Sequence, residues 1–75
     1  GHALAGAGAI EAVAVALTIE RALIPPTAGL EQLDPEIHLD VVTGAPRPFS
    51  PGPVLSNSFG FGGHNGCIVL APALP

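Results

Sequence analysis

A chain of 75 residues has room for one small domain, and its single cysteine excludes the internal disulfide that often stabilises so small a core. A net charge of −4 with two basic residues, Arg21 and Arg47, excludes the cationic surface that nucleic-acid binding requires. Because 48% of the residues are hydrophobic and only 11% are charged, we expect further polypeptide to cover much of the apolar surface.

The first predicted element is a helix over residues 3–22, which contains no proline and is rich in Ala, Leu, Val and Ile. It is apolar nearly all round, as helices in the interior of larger proteins are, so we expect it to be buried. A membrane span is the alternative, since residues 3–19 approach the length that crosses a bilayer. Glu11 at the middle of this stretch argues against a span, and the lack of basic residues before it argues against a signal peptide.

The segment after the helix is predicted to be largely irregular. Pro25 and Pro26 should end the helix, because the residue before a proline is driven out of the α region. Residues 27–53 contain five further prolines. Within them, residues 37–42 (IHLDVV) have the alternation of a short strand.

Two of the three Phe residues, Phe59 and Phe61, lie in the glycine-rich run of residues 56–66 (SNSFGFGGHNG). Apolar residues enter this run at 54–55 and leave it at 67–70, and its glycines permit positive φ and a close approach of a bound group. The pattern predicts a terminal β-hairpin. Its turn would offer backbone N–H groups to an oxyanion while a Phe closes over it.

Five motifs follow one another along the chain. They are GH at residues 1–2 before an Ala/Gly helix with Glu11, IPPT at 24–27, DPE at 34–36, LDVV at 39–42 and NSFGFGGHN at 57–65. Together they resemble the C-terminal end of a β-ketoacyl-acyl-carrier-protein synthase, of the type II fatty-acid elongating kind found in actinobacteria. The resemblance implies that residues 1–75 are part of that family's C-terminal domain and not a complete domain.

The implied fold class is α/β, as the C-terminal portion of a thiolase-like layered α-β-α-β-α fold with one buried helix, a Pro-rich connection and a terminal hairpin. The implied reaction is the decarboxylative Claisen condensation of an acyl thioester with malonyl-acyl-carrier protein, in fatty-acid or polyketide elongation. His2 matches the second of two histidines that bind the malonyl thioester and stabilise its enolate. The family's cysteine nucleophile, first histidine and preceding lysine are not matched within these residues, so we expect the chain alone to be inactive.

The resemblance also assigns residues of the turn. Phe61 matches a gating phenylalanine whose backbone N–H belongs to the oxyanion hole, Phe59 matches a second aromatic beside it, and Gly62 belongs to the same substrate-binding set. From composition alone, ordinary strand-end packing of the Phe residues and a solvated terminus for His2 are the alternatives. The implied partners are the acyl carrier protein, the remainder of the synthase and a second copy in a homodimer, in the cytoplasm.

Glu11, Ser56 and Asn57 match residues that surround a structural monovalent cation or an ordered water, and no other cofactor is expected. A partly exposed Glu11 is the alternative. If the three residues meet, they would hold His2 and Phe61 in a fixed relation.

His64 and Cys67 are three residues apart, but a zinc site needs four ligands, and the other histidines show no ligand spacing. We expect Cys67 to be a small core residue on the strand face opposite His64. His64 stands where the family commonly has threonine.

Two other functions remain open. One is a non-catalytic, chain-length-determining partner of a ketosynthase, whose members typically lack the Gly-His and Phe-Gly-Phe-Gly-Gly motifs. The other is a free-standing interaction module or truncated gene product that binds a partner through its uncovered helix.

Overall fold

The computed structural model describes residues 2–73, so Gly1 of the Gly-His motif and the last two residues of the predicted 1–75 unit lie outside the described residues. The elements in chain order are a 3-10 turn and one α-helix followed by four strands. They are Leu4–Gly6, α1 Ala7–Arg21, β1 Leu23–Ile24, β2 Arg47–Pro48, β3 Val54–Phe59 and β4 Asn65–Leu70. This mixture of helix and strand is consistent with the predicted α/β class, and the thiolase-like layering stays a prediction.

Helix α1 ends before the prolines that were expected to stop it. Ala22 adopts a left-handed conformation (φ 53°, ψ 36°), and its N–H donates back to the carbonyls of Thr18 and Ile19. The carbonyl of Ala22 in turn accepts a hydrogen bond from the N–H of Phe49 at 3.1 Å. The chain therefore leaves the helix at Ala22 to run as β1. The predicted end of the helix at residue 22 is confirmed to within one residue, but a left-handed cap ends the helix before the prolines are reached.

Helix α1 is not buried within the described part of the chain, and its expected burial by further polypeptide stays a prediction. None of its residues is buried, and Ile10 and Val13 are more than half exposed. The helix contacts β1, β3 and β4, and these contacts leave it partly exposed. Val42 is the one buried hydrophobic residue among residues 2–73. No helix within this range has the length and hydropathy to cross a membrane.

Residues 37–42 do not form the predicted strand. The N–H of Val41 bonds to the carbonyl of Leu39 at 3.1 Å in a γ-turn-like contact, and the carbonyl of Val42 accepts from the N–H of Thr27 at 2.9 Å. The Val41 N–H and the Val42 carbonyl therefore form hydrogen bonds that do not belong to a β-sheet. The strand pair that does form is antiparallel and joins the ends of this segment, with Leu23 opposite Pro48 and Ile24 opposite Arg47.

An ion pair braces the loop that leads into β2. The guanidinium of Arg47 donates to the Asp40 carboxylate at 2.7 Å, and this hydrogen bond and the accompanying charge attraction lower the pKa of Asp40. Both side chains are exposed, so the pair contributes little to the free energy of unfolding.

The predicted terminal β-hairpin is confirmed. β3 and β4 are antiparallel in an unbroken register that runs from Val54 opposite Leu70 to Phe59 opposite Asn65. Because side chains alternate between the two faces of a strand, Ser56 and Ser58 share one face while Asn57 and Phe59 share the other. The hairpin is the element that carries most of the predicted site.

Candidate functional site

The bend between β3 and β4 is built by glycine. Gly62 and Gly63 have φ of 79° and 80°, in the left-handed region that glycine adopts without steric cost. The N–H of Gly60 donates to the carbonyl of His64 at 2.6 Å and closes the bend. The prediction of positive φ in this run is therefore confirmed at two consecutive residues.

Both Phe residues of the bend are presented to the outside of the described chain. Phe61 is fully exposed at 102%, and Phe59, the last residue of β3, is 77% exposed. Ordinary strand-end packing would bury these rings, so that interpretation finds no support within residues 2–73. Phe61 stands between Gly60 and Gly62 in the bend.

A shallow depression of about 410 Å³ lies beside this bend. It is lined by Ser58, Phe59, Gly60, His64, Asn65 and Gly66. Its walls combine an aromatic ring, a hydroxyl and an imidazole with glycine backbone, so it can receive an apolar chain that ends in a polar group.

His2 is exposed just before the helix, and its ring is oriented by the backbone. The N–H of Leu4 donates to Nδ1 of His2 at 2.8 Å. A neutral imidazole whose Nδ1 accepts a hydrogen bond carries its proton on Nε2, which makes Nε2 a donor. At this contact Leu4 has a φ of 50°, a left-handed conformation that residues other than glycine rarely adopt.

His2 and Glu11 line the same open depression, of about 410 Å³, on the first turns of the helix. Its other lining residues are Ala3, Ala7 and Ile10, so the depression is apolar except for an imidazole at one side and a carboxylate at the other. His2 and Glu11, the two polar residues predicted near the start of the helix, therefore border the same depression.

Glu11 meets the hairpin through a residue that the sequence analysis missed. The hydroxyl of Ser58 donates to Oε2 of Glu11 over a long 3.5 Å. Ser56 lies on the same face of β3 two residues away, whereas Asn57 lies on the opposite face, across from Cys67 in the register. Because side chains alternate along a strand, Ser58 shares a face with the predicted residue Ser56, and this alternation could have identified Ser58 from the sequence.

The predicted cation ligands therefore do not converge as a set of three. Glu11 and Ser58 supply two oxygen atoms, and Asn57 does not share their face. Among the described residues, no group of three or more His, Cys, Asp or Glu side chains could hold a metal ion. That absence concerns His, Cys, Asp and Glu side chains and not the Ser and Asn oxygens of the predicted set, so the monovalent cation stays a prediction.

Cys67 is exposed, so the prediction that it is a core residue is wrong for the described chain. It lies on the outer face of the hairpin, where no element of residues 2–73 packs against it. His64 precedes β4 and belongs to the bend, so strand alternation does not fix its direction relative to Cys67, contrary to expectation.

The contact between Glu11 and Ser58 joins the two depressions. Glu11 belongs to the wall that it shares with His2, and Ser58 belongs to the wall beside the Phe-containing bend. The helix start and the bend, 47 residues apart at this contact, are thereby held against each other.

Comparisons with known proteins find similarity to β-ketoacyl synthases. The profile of the family described as "Beta-ketoacyl synthase, C-terminal domain" matches residues 1–31. The chain is 50% identical over 70 residues to 3-oxoacyl-[acyl-carrier-protein] synthase 2 of Mycobacterium tuberculosis, covering 93% of this chain and 17% of the relative. It is 54% identical over 65 residues to the protein of the same name from Synechocystis, covering 87% of this chain and 16% of the relative.

A polyketide enzyme is also similar. The chain is 46% identical over 71 residues to the tetracenomycin polyketide synthase ketoacyl synthase alpha subunit of Streptomyces glaucescens, covering 95% of this chain and 17% of the relative. The chain thus spans about one sixth of the length of these curated relatives. No solved structure matches it.

Proposed function

Since this chain is part of a β-ketoacyl-acyl-carrier-protein synthase, we propose that the complete protein condenses an acyl thioester with malonyl-acyl-carrier protein in fatty-acid or polyketide elongation. Its similarity to a 3-oxoacyl-[acyl-carrier-protein] synthase 2 and to a polyketide ketoacyl synthase subunit supports both pathways. In this proposal residues 1–75 supply one wall of the reaction site, and the cysteine nucleophile comes from the rest of the protein.

In this proposal His2 stabilises the enolate that forms when the malonyl thioester loses carbon dioxide. The Leu4 N–H on Nδ1 leaves Nε2–H as the donor, and this donor is fixed before negative charge builds on the thioester oxygen. A donor that is already oriented stabilises the developing charge without the cost of reorganisation. The observed hydrogen bond is the support for this role.

Phe61 acts on the acyl half of the reaction. Its backbone N–H contributes to the oxyanion hole, while its ring, which no described residue restrains, swings to admit the acyl chain. Phe59 and Gly62 form the adjacent part of the acyl-binding surface. The exposure of both rings and the left-handed Gly62 support this proposal.

The observation that carries the proposal is the contact between Glu11 and Ser58. It ties the surface around His2 to the surface around Phe61, and a condensing enzyme needs its enolate-binding and acyl-binding groups to face one substrate pair. Glu11 and Ser58 are positioning residues in this account, and no step of the reaction is assigned to a bound cation.

The acyl carrier protein and a second copy of the synthase remain proposed partners. The described residues offer few positive charges for an acidic carrier protein, so its docking surface would come from elsewhere in the protein. The cytoplasmic location also stays a prediction.

The test uses a complete synthase that carries these residues. His2→Ala should reduce decarboxylation of malonyl-acyl-carrier protein by about 100-fold, because one preorganised donor to an oxyanion is lost. Acylation of the cysteine should be nearly unchanged. His38→Ala, in the irregular segment, is the matched control and should leave both steps at the wild-type rate. Equal decarboxylation by the His2 variant and the wild type would refute the proposed role.

A further inference from the structure

An apolar groove of about 310 Å³ runs along the last two turns of helix α1. It shares no lining residue with the two depressions of the candidate site. Leu17 and Leu23 remain 42% and 40% exposed, so the described chain leaves the groove uncovered. The helix forms one side of it, and β1 with the prolines near the strand pair forms the other. Its lining includes Leu17, Thr18, Arg21, Leu23, Pro25 and Pro46.

Arg21 is the charged residue of this groove. The Thr18 hydroxyl donates to the carbonyl of Ala14 at 2.9 Å, so it is not available to donate to another group. Within residues 2–73, no side-chain hydrogen bond or ion pair involves the Arg21 guanidinium, whereas Arg47, the other basic residue, is paired with Asp40. The five N–H donors of Arg21 are therefore left for a group from outside these residues.

A segment that covers the groove would also remove water from Arg21. A guanidinium taken out of water needs an opposite charge and hydrogen-bond acceptors, or its burial is strongly unfavourable. Arg21 is the last residue of the helix, where the helix dipole favours a positive charge but satisfies no side-chain donor. A carboxylate meets both needs, because its two oxygens match the planar fork of a guanidinium. The complementary occupant therefore has apolar side chains and an Asp or Glu.

We propose that an apolar segment from another part of the same synthase polypeptide fills this groove and pairs an Asp or Glu carboxylate with Arg21. The chain spans about one sixth of the length of its curated relatives, so most of such a polypeptide is available to supply the segment. A second copy that presented the same groove would instead bring two guanidinium groups together, and like charges repel. This inference rests on the family of the chain and not on the roles proposed for His2 or Phe61.

Photocrosslinking in a complete synthase that carries these residues identifies the occupant. Leu17→p-benzoylphenylalanine places a photoreactive ketone in the groove. The crosslinked product should keep the mass of a single chain on a denaturing gel, and mass spectrometry should find the crosslink in a peptide outside residues 1–75 that contains an Asp or Glu. A product with the mass of two chains, a crosslink to added acyl carrier protein, or no crosslink at all would overturn the proposal.

The charge pairing is tested by the thermal stability of the same synthase. Arg21→Gln should lower its melting temperature by several degrees, because a covered carboxylate is left without its partner. Arg47→Gln is the matched control and should leave the melting temperature nearly unchanged, because the Asp40 pair is exposed.

Neutralising the crosslinked acid, by Asp→Asn or Glu→Gln, completes a double-mutant cycle with Arg21→Gln. The double variant should lose less stability than the sum of the two single variants. Additive losses, or a wild-type melting temperature for Arg21→Gln, would overturn the pairing. The crosslink and the melting temperature need no activity, so a synthase that fails to condense its substrates would overturn the proposed function and leave both tests intact.

Discussion

At the scale of single residues, the backbone around His2 and Phe61 sets what each side chain can do. The Leu4 N–H assigns the proton of a neutral His2 to Nε2. Gly60 and Gly62 leave the peptide of Phe61 unshielded by side chains. The roles that the residue types and the motif predict for His2 and Phe61 stay predictions, and the partner on Nδ1 depends on a local turn that the sequence pattern does not reveal.

Phe61→Ala in a complete synthase should slow acylation by about tenfold, which corresponds to about 1.4 kcal/mol of transition-state stabilisation. The backbone N–H remains, so the loss reports on the ring and its gating motion. Rapid-quench measurement of the acyl-enzyme gives the rate.

The matched control is Phe49→Ala, which removes the third Phe, a half-buried residue beside β2. This variant should lower the melting temperature through lost packing while acylation keeps its wild-type rate. Equal acylation by the Phe61 variant and the wild type would contradict the gate assignment.

At the scale of elements, local patterns predicted the hairpin and, to within one residue, the C-terminal end of the helix, but not the first strand pair. β3 and β4 are joined by a short glycine bend, so alternation and turn chemistry suffice to define them. β1 and β2 are two residues each and pair across more than twenty residues, so their existence depends on a long-range contact. Next to this pair, the carbonyl of Ala22 accepts a hydrogen bond from the N–H of Phe49, and the chain leaves the helix at Ala22, before the prolines.

The contact between helix and hairpin can be measured by a double-mutant cycle on the stability of a complete synthase. Glu11→Ala and Ser58→Ala should show a coupling of about 0.5 kcal/mol, because the hydrogen bond is long and its residues are exposed. Ser56→Ala, on the same strand face without that bond, should be additive with Glu11→Ala. Additivity of the Ser58 pair would show that the contact contributes nothing.

At the scale of the whole molecule, the described chain has a large uncovered apolar surface. The helix exposes Ile10 and Val13, and the outer hairpin face exposes Leu55 and Val69. The composition predicted this excess of apolar surface. It could not show which faces would be left open, because that depends on how the helix packs against the hairpin.

The isolated 75-residue chain should therefore aggregate or lack a cooperative thermal transition, since burial of so little apolar surface cannot offset the conformational entropy of folding. Circular dichroism melting and size-exclusion chromatography measure this directly. A monomer with a sharp transition would instead support a free-standing interaction module.

The central claim is that the helix start and the glycine bend face one thioester-binding pocket. A crystal structure of the complete synthase, trapped with an acyl group on its cysteine and a malonyl thioester analogue, tests it most directly. The account predicts Nε2 of His2 within hydrogen-bond distance of the analogue's thioester oxygen, and the Phe61 N–H within the same distance of the acyl carbonyl. His2 and Phe61 on separate surfaces, with neither donor near a thioester, would contradict it.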